Sequence, residues 1–261
     1  MIELRGIRKS FGAKEVLKGI DLVIPTGSTT CVIGKSGSGK SVLLKHIVGL
    51  LKADAGTVLI DGRDLESLSH AELFSMRKKI GYVFQGAALF DSMTVFDNVV
   101  ISLVEHGVHD RSILESEARR VLSSVGLLPE LTDDGSTAFE REYAILRNKK
   151  PSDLSGGMRK RVGVARALVG QPEYIFYDEP TTGLDPVTSQ QIDDMIGDLA
   201  RKLQVTSLVI THDMFSIFNI ADNVAMIVDG VVRFQGDVPA LRATNDPEVV
   251  DFLARYVAEG F

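Results

Sequence analysis

The chain has 261 residues, of which 44% are hydrophobic and 25% charged, and its formal net charge is −6. This ordinary globular composition excludes a disordered or collagen-like chain, and the acidic balance gives no overall indication of nucleic-acid binding. The length fits one large α/β domain with a subdomain. The single cysteine, Cys31, stands in an apolar run and is interpreted as a small buried hydrophobic residue.

The sequence shows neither a secretory signal at its start nor an uninterrupted apolar stretch of about 18 residues that would cross a membrane. We therefore expect a cytoplasmic chain that meets a membrane only through a partner protein.

Strand patterns dominate the first part of the chain. Runs of β-branched and apolar residues predict strands, with a turn at Gly12 between the first two. These predicted strands cover residues 2–7, 16–24, 29–33, 57–60 and 80–84. Apolar residues at helical spacing predict a helix over residues 41–51.

The middle of the chain is mostly helical in pattern, and strands return after it. Predicted helices cover residues 99–104, 113–125, 158–169 and 188–203, and predicted strands cover 174–177, 206–211 and 224–228. This alternation around a helical insert predicts a parallel α/β core that carries a helical subdomain. Residues 129–151 run from acidic to basic and are predicted to form a solvated loop, and residues 247–261 an amphipathic helix that packs on its own domain.

A glycine-rich loop joins the strand over 29–33 to the following helix. It matches G-x-x-x-x-G-K-[ST] with the residues Gly34, Lys35, Ser36, Gly37, Ser38, Gly39, Lys40 and Ser41. Glycines let several backbone amides converge on phosphate oxygens, and the helix N-terminus adds partial positive charge. Lys40 is expected to reach the β- and γ-phosphates, and the Ser41 hydroxyl to bind Mg²⁺.

Two acids end the strand over 174–177. Asp178 would lie at the carboxyl end of a central strand, where open α/β sheets bind ligands, and it is expected to hold the magnesium. Glu179 is placed to polarise an attacking water as a general base. A turn with two solvated acids is the alternative.

A second anion site precedes the helix over 158–169, because Ser155 is a candidate cap and Gly156 and Gly157 leave amides exposed. One compact domain cannot easily use both anion sites on one nucleotide. We therefore expect a dimer in which the Ser155 loop closes on the nucleotide of the other subunit, with a plain capped helix as the alternative.

Taken in order, these motifs resemble those of the ATP-binding cassette family of transporter ATPases, over roughly residues 2–235. The resemblance implies catalytic roles for Glu179, His212 and Gln85, and magnesium contacts from Ser41, Gln85 and Asp178. It implies that ATP is bound by Phe11, Val16, Gly34, Lys35, Ser36, Gly37, Ser38, Gly39, Lys40, Ser41, Val42, Ser155, Gly156 and Gly157. Phe11 stands where the family has an adenine-stacking aromatic residue. In the alternative reading, Gln85 is a surface amide, His212 a core histidine and Phe11 core filler.

The resemblance also implies the fold and the mechanism. The fold is an α/β P-loop NTPase with a RecA-like parallel-sheet core, an N-terminal antiparallel β subdomain and an inserted helical subdomain. Residues 1–90 and 171–240 would form the nucleotide-binding core, 91–170 the helical subdomain and 241–261 a helical tail. Two copies would sandwich two ATP molecules, and closure of this dimer would drive a membrane permease between two states. Hydrolysis would then open the dimer.

Three stretches, residues 85–95, 157–162 and 181–186, resemble the ATPases of Mla-type phospholipid transport systems. The resemblance implies work at the cytoplasmic face of the inner membrane, beside a permease, an MCE-domain lipid-binding protein and a small regulatory subunit. Ala88, Leu89 and Phe90 would grip a permease helix, unless Leu89 and Phe90 belong to the core.

Two other functions stay open at this point. One is the ATPase of an importer for amino acids or another small solute. The other is a soluble ATPase of translation or DNA maintenance; the former group usually joins two cassettes, and the latter needs a long coiled coil that is absent here.

Overall fold

The computed structural model of the protein describes residues 1–130 and 137–257, and for residues 255–257 it describes the secondary structure alone. Its Cα packing divides the chain into two compact units. The first unit consists of Met1–Arg77 and the segment from Ala200 onward, and the second unit is Lys78–Leu199. The division into a nucleotide-binding core (1–90 and 171–240), a helical subdomain (91–170) and a tail (241–261) remains a prediction.

The strands are β1 (Ile2–Phe11), β2 (Lys14–Ile24), β3 (Thr29–Ile33), β4 (Ala55–Ile60), β5 (Arg63–Asp64), β6 (Ile80–Val83), β7 (Tyr174–Asp178), β8 (Thr206–Ile210), β9 (Asn223–Val228) and β10 (Val231–Gly236). The α-helices are α1 (Lys40–Ile47), α2 (His70–Arg77), α3 (Val95–Glu105), α4 (Arg111–Ser124), α5 (Thr137–Leu146), α6 (Gly156–Leu168), α7 (Pro186–Leu203), α8 (Met214–Ile220), α9 (Val238–Ala243) and α10 (Pro247–Val257). None of the helices in the described part of the chain is long and apolar enough to cross a membrane.

The first unit contains an antiparallel sheet and a set of mainly parallel strands. The antiparallel sheet has the order β2-β1-β4-β5, and alternating apolar residues of β1, such as Ile2 and Leu4, are buried. In the other set, β3 lies between β8 and β9 and is parallel to both, while β10 pairs antiparallel with β9. Every residue of β3 is buried, Cys31 included, as a continuous apolar run in a parallel sheet requires.

The second unit combines two parallel strands with helices. Strands β6 and β7 pair in parallel, and α6 packs against β6, α3 and α4. The helices between the two strands are the inserted helical segment that the sequence predicts. The predicted α/β architecture, with an antiparallel β part and a helical insert, is therefore confirmed.

Most predicted elements are confirmed with small changes at their ends. Helix α1 ends at Ile47 rather than at residue 51, because the chain turns through Gly49, whose φ is +66°. Helix α7 begins at Pro186, since proline is tolerated in a first turn. The sequence pattern does not predict the short helices α2, α8 and α9 or the strands β5 and β10.

The prediction of a solvated loop over residues 129–151 is wrong for its second half, which forms α5. Phe139 and Tyr143 of this helix are buried. The Tyr143 hydroxyl donates to Glu115 of α4 at 2.6 Å, and Arg147 donates to the same carboxylate at 2.9 Å. The helix thus depends on tertiary contacts that charge pattern alone does not reveal. Asp133 and Asp134 of the acidic half lie outside the described residues.

The amphipathic helix predicted near the C-terminus is present as α10. Val249 and Phe252 are buried, and Arg233 of β10 forms ion pairs with Asp246 at 2.9 Å and Glu248 at 3.4 Å. These contacts support packing on its own domain. Residues 258–261 and the side chain of Tyr256 lie outside the described part.

Candidate functional site

The loop over residues 34–41 connects β3 to α1 in the first unit and has a backbone that only glycine permits at two points. Gly34 has φ +148°, and a Cβ there would lie 2.3 Å from the carbonyl oxygen of Ile227. Gly39, the N-cap of α1, has φ +103°, and its Cβ would lie 2.7 Å from Leu17 Cδ2. The loop therefore stays close to its own sheet and leaves the first amides of α1 directed outward from the helix.

The Lys40 side chain folds back over this loop. It is only 6% exposed, and its Nζ donates to the carbonyl oxygens of Gly34 at 2.7 Å and Lys35 at 3.1 Å. These bonds hold a positive charge at the centre of the loop. Among the described residues, the Ser38 hydroxyl is buried without a hydrogen-bond partner, so it fits a donor to a phosphate oxygen.

A cavity of about 390 Å³ opens beside the loop. Of the predicted ATP-binding residues it brings together Val16, Lys35, Ser36, Gly37 and Ser38. Phe11 does not line it. Phe11 ends β1 and is 48% exposed, with Lys9 Nζ 5.8 Å from its ring centroid, so the alternative of a core residue is wrong.

In the second unit, Glu179 follows β7 and is fixed by two donors. The Gln85 Nε2 donates to Glu179 Oε2 at 3.0 Å, and the Thr182 hydroxyl donates to the same oxygen at 2.9 Å. Glu179 itself has φ +49°, a left-handed conformation that is uncommon for a residue with a side chain. Such backbone strain is typical of functional positions, where the surrounding structure maintains it.

The preceding acid, Asp178, ends β7 and is half-buried. Tyr82 of the neighbouring strand β6 donates its hydroxyl to Asp178 Oδ2 at 3.3 Å. Burial, and then the Asp178 charge, raise the pKa of Tyr82, so its hydroxyl remains a donor at neutral pH. Asp178 is thus oriented by a neutral group.

Two exposed apolar side chains flank Gln85 in the sequence. Phe84 and Phe90 are 44% and 50% exposed, so the alternative that Phe90 belongs to the core is wrong, while Leu89 is half-buried. The buried Asn98 side chain holds the Phe90 main chain, accepting from its amide at 2.8 Å and donating to its carbonyl at 3.1 Å.

Ser155, Gly156 and Gly157 lie at the start of α6, also in the second unit. The Ser155 hydroxyl accepts a hydrogen bond from the Met158 amide at 3.2 Å, which confirms the predicted cap. A Cβ on Gly157 would lie 2.8 Å from Thr188 Cγ2, so the glycine lets α7 approach the helix start.

His212 lies in the first unit, in the turn between β8 and α8. It is exposed, so the alternative of a core histidine is wrong. Asp213 caps α8 by accepting from the Phe215 amide at 2.9 Å, and its own amide donates to Thr211 Oγ1 at 2.9 Å. This cap fixes the backbone that carries His212.

Sequence reasoning missed three contributors to the second-unit cluster. Tyr82 and Thr182 orient the two carboxylates, and Lys160 of α6 donates its Nζ to the main-chain oxygens of Gln85 and Glu179. Thr182 lies in the stretch 181–186, whose resemblance to transporter ATPases implies no role for its hydroxyl. No local pattern marks Tyr82 or Lys160.

A phosphate loop between a parallel strand and a helix, with a strand-end acid pair, defines a P-loop nucleoside triphosphatase. The model of the ABC transporter family matches residues 17–182 of this chain, which therefore belongs to that family. It is an ATPase of the ABC transporter type and binds ATP.

Relatives and solved structures agree with this membership. The probable ribonucleotide transport ATP-binding protein mkl of Mycobacterium leprae is 36% identical over 97% of this chain and 68% of its own length. The intermembrane phospholipid transport system ATP-binding protein MlaF of Escherichia coli is 35% identical over 97% of this chain and 88% of its own length. The dimeric post-hydrolysis structure of the ATP-binding cassette MJ0796, bound to ADP and Pi, is 30% identical with a TM-score of 0.77, covering 91% of this chain and 99% of that one.

Proposed function

We propose that this ATPase works as a homodimer that drives a membrane permease for phospholipid at the cytoplasmic face of the inner membrane. The observation that carries the phospholipid assignment is the 35% identity to MlaF across 88% of that protein's length. The dimeric MJ0796 cassette supports the pairing of two copies. The exposed Phe84 and Phe90 give a permease helix an apolar contact.

In this proposal, Lys40 and the amides of the phosphate loop hold the β- and γ-phosphates. The oxygen of a water molecule attacks the γ-phosphorus, and Glu179 accepts a proton from that water. The bond between the γ-phosphorus and the oxygen that bridges the β- and γ-phosphates breaks. ADP and phosphate are the products. The hydrogen bonds from Gln85 and Thr182 keep the Glu179 carboxylate in place for this step. His212 would contact the γ-phosphate, and Phe11 would stack on adenine.

The oxygen donors among the predicted metal residues suit Mg²⁺, which prefers carboxylate, hydroxyl and amide oxygens together with substrate phosphates. Ser41, Gln85 and Asp178 would hold the ion. When bound, it would neutralise charge that develops on the phosphate oxygens.

The other subunit of the proposed dimer contributes Ser155, Gly156 and Gly157 to each ATP site. These residues would contact the nucleotide of the other copy, so ATP closes the dimer and hydrolysis opens it. An MCE-type lipid-binding protein and a small regulatory subunit complete the proposed assembly.

A small-solute transporter is the second candidate function, favoured by the ribonucleotide transport named for mkl. The two candidates share the same ATP chemistry and differ only in the permease and its cargo.

The test is native mass spectrometry of the complex purified from its own membranes through a tag on this chain. We expect two copies of the chain, a permease, a lipid-binding partner and bound phospholipid. A permease without a lipid-binding partner, and ATPase activity stimulated by ribonucleotides rather than by phospholipid, would move the assignment to the second candidate. Recovery with ribosomal or DNA-bound proteins would reject transport.

A further inference from the structure

One face of α6 presents three residues to the segment around Gln85. Lys160, Gly163 and Arg166 are spaced at three-residue intervals, so they lie along the same side of the helix. Lys160 is only 6% exposed, and its Nζ donates to the main-chain oxygen of Gln85 and, at 3.4 Å, to that of Glu179. A single cation therefore links the backbones of both residues whose side chains form the 3.0 Å hydrogen bond.

The other two residues of this face hold the segment just after Gln85. Arg166 donates to the carbonyl oxygens of Ala87 at 2.7 Å and Ala88 at 2.8 Å. Gly163 lets Ala87 approach, since a Cβ on Gly163 would lie 3.1 Å from Ala87 Cβ.

The carbonyls that these cations bind belong largely to strained residues. Glu179, Ala87 and Ala88 have φ angles of +49°, +61° and +44°, a region that side-chain-bearing residues rarely adopt. A donor that binds the carbonyl of such a residue helps to keep it there.

A buried ammonium group such as that of Lys160 would destabilise the fold without hydrogen-bond acceptors. Burial lowers the pKa of Lys160, while the Glu179 charge opposes that shift. A buried ammonium group is tolerated when hydrogen bonds satisfy it, and the two carbonyl oxygens supply those bonds. Lys160 therefore needs the carbonyl oxygens of Gln85 and Glu179 to remain buried, and the backbones of these two residues are held by Lys160.

We propose that Lys160 is a positioning residue for ATP hydrolysis: it fixes the Gln85 and Glu179 backbones so that their side chains meet. The inference rests on the proposed role of Glu179 as general base. Helix α6 begins beside Ser155, which the proposed function places against the nucleotide of the other copy. The same helix therefore connects that loop to Gln85 and Glu179.

The test compares Lys160→Met, Lys160→Arg and Arg161→Met in the full chain, by steady-state ATPase kinetics and thermal unfolding. Lys160→Met keeps the length of the side chain and removes the charge and donors. We expect kcat to fall about 10- to 100-fold, with the KM for ATP changed by less than about twofold. Lys160→Arg retains a cation with several donors and should bring kcat to within about fivefold of the parent protein.

Arg161 is the matched control. It is the adjacent basic residue of α6, but it donates to the Val125 carbonyl oxygen and contacts Met195, away from Gln85 and Glu179. Arg161→Met is expected to lower the unfolding temperature and leave kcat unchanged. A folded Lys160→Met protein with parental kcat, or an equal loss of kcat in Arg161→Met, would overturn the proposal.

Two further variants keep the result interpretable. If Lys160→Met does not fold, Lys160→Gln keeps a polar side chain that is uncharged and too short to reach both carbonyl oxygens. It should show the same loss of kcat at unchanged KM, and parental kcat there would also reject the proposal. Glu179→Gln, measured in parallel, tests the underlying assignment: full turnover in that variant removes Glu179 as the base, whereas lost turnover with an unaffected Lys160→Met rejects the role of Lys160 alone.

Discussion

The side-chain amide of Gln85 donates to Glu179 Oε2 at 3.0 Å, although the two residues are 94 positions apart in the chain. One residue follows β6 and the other follows β7, and the parallel pairing of these strands brings their carboxyl ends together. A hydrogen bond to the ionised carboxylate is stronger than one between neutral groups. The hydrogen bond from Gln85 therefore orients the carboxylate of the proposed base.

The first prediction concerns the proposed base. Glu179→Gln keeps the size of the side chain and removes its ability to accept a proton, so turnover should fall about 10²- to 10⁴-fold. Binding of ATP should persist, and the closed dimer should accumulate. Phosphate release, nucleotide binding by fluorescence and size-exclusion chromatography measure the three effects. Glu173→Gln, an exposed acid paired with Lys79, is the control and should behave as the parent protein. Equal turnover in Glu179→Gln and the parent protein would reject the assignment.

The second prediction concerns Thr182, whose hydroxyl donates to Glu179 at 2.9 Å. Thr182→Val preserves shape and removes the donor. A hydrogen bond to a charged group contributes about 1.5–3 kcal/mol, so we expect kcat to fall about 10-fold or more. Combining this change with Gln85→Ala should give a loss smaller than the product of the two single losses, because both donors act on one oxygen. Strictly multiplicative losses would show that the two donors act independently.

The strands and the phosphate loop follow from local sequence, because a buried parallel strand requires an apolar run and the loop requires glycine. The run at Thr29–Ile33 and the glycines at 34 and 39 satisfy those demands. The order of the motifs is enough to predict the family and the ATPase activity.

Contacts between distant segments cannot be predicted from local sequence. Phe139, Tyr143 and Leu146 stand at the helical spacing of four and three residues, which the change from acidic to basic charge along the segment obscures. The contact of Tyr143 and Arg147 with Glu115 on α4 cannot be read from the sequence. The contact of Lys160 with Gln85 has the same origin. A lysine in a polar helix sequence predicts an exposed side chain, and only the packed structure shows it buried beneath two loops.

The third prediction concerns Lys40, whose Nζ is held over the phosphate loop by the Gly34 and Lys35 carbonyl oxygens. Lys40→Ala removes the positive charge at the loop's centre. The loss of charge-assisted hydrogen bonds to phosphate should weaken ATP binding about 100-fold, as measured by calorimetry. Lys45→Ala, an exposed lysine of the same helix, is the control. Equal weakening in both variants would indicate a general charge effect instead of a specific contact.

The fourth prediction is a pH dependence of stability that arises from Glu115. Burial raises the pKa of this carboxyl, but hydrogen bonds from Tyr143 and Arg147 and the charges of neighbouring arginines outweigh it, so the pKa is lowered on balance. A lowered folded-state pKa means that folding favours the ionised form. The resulting stability is present above the unfolded-state pKa of about 4.3 and is lost as pH falls through the lower folded-state value.

Thermal unfolding measured from about pH 7 to about pH 3 tests this expectation. The parent protein should lose unfolding temperature on acidification more steeply than Glu115→Gln, which lacks the titrating group and begins less stable at neutral pH. Glu142→Gln, at an exposed position of α5, is the control and should follow the parent curve. Since the Glu115 carboxylate connects α4 to α5 through Tyr143 and Arg147, the protection of α5 amides from hydrogen exchange, relative to the intrinsic exchange rate at each pH, should decrease over the same acidic range. Parallel curves for the parent protein and Glu115→Gln would show that this carboxylate does not contribute to the acid sensitivity.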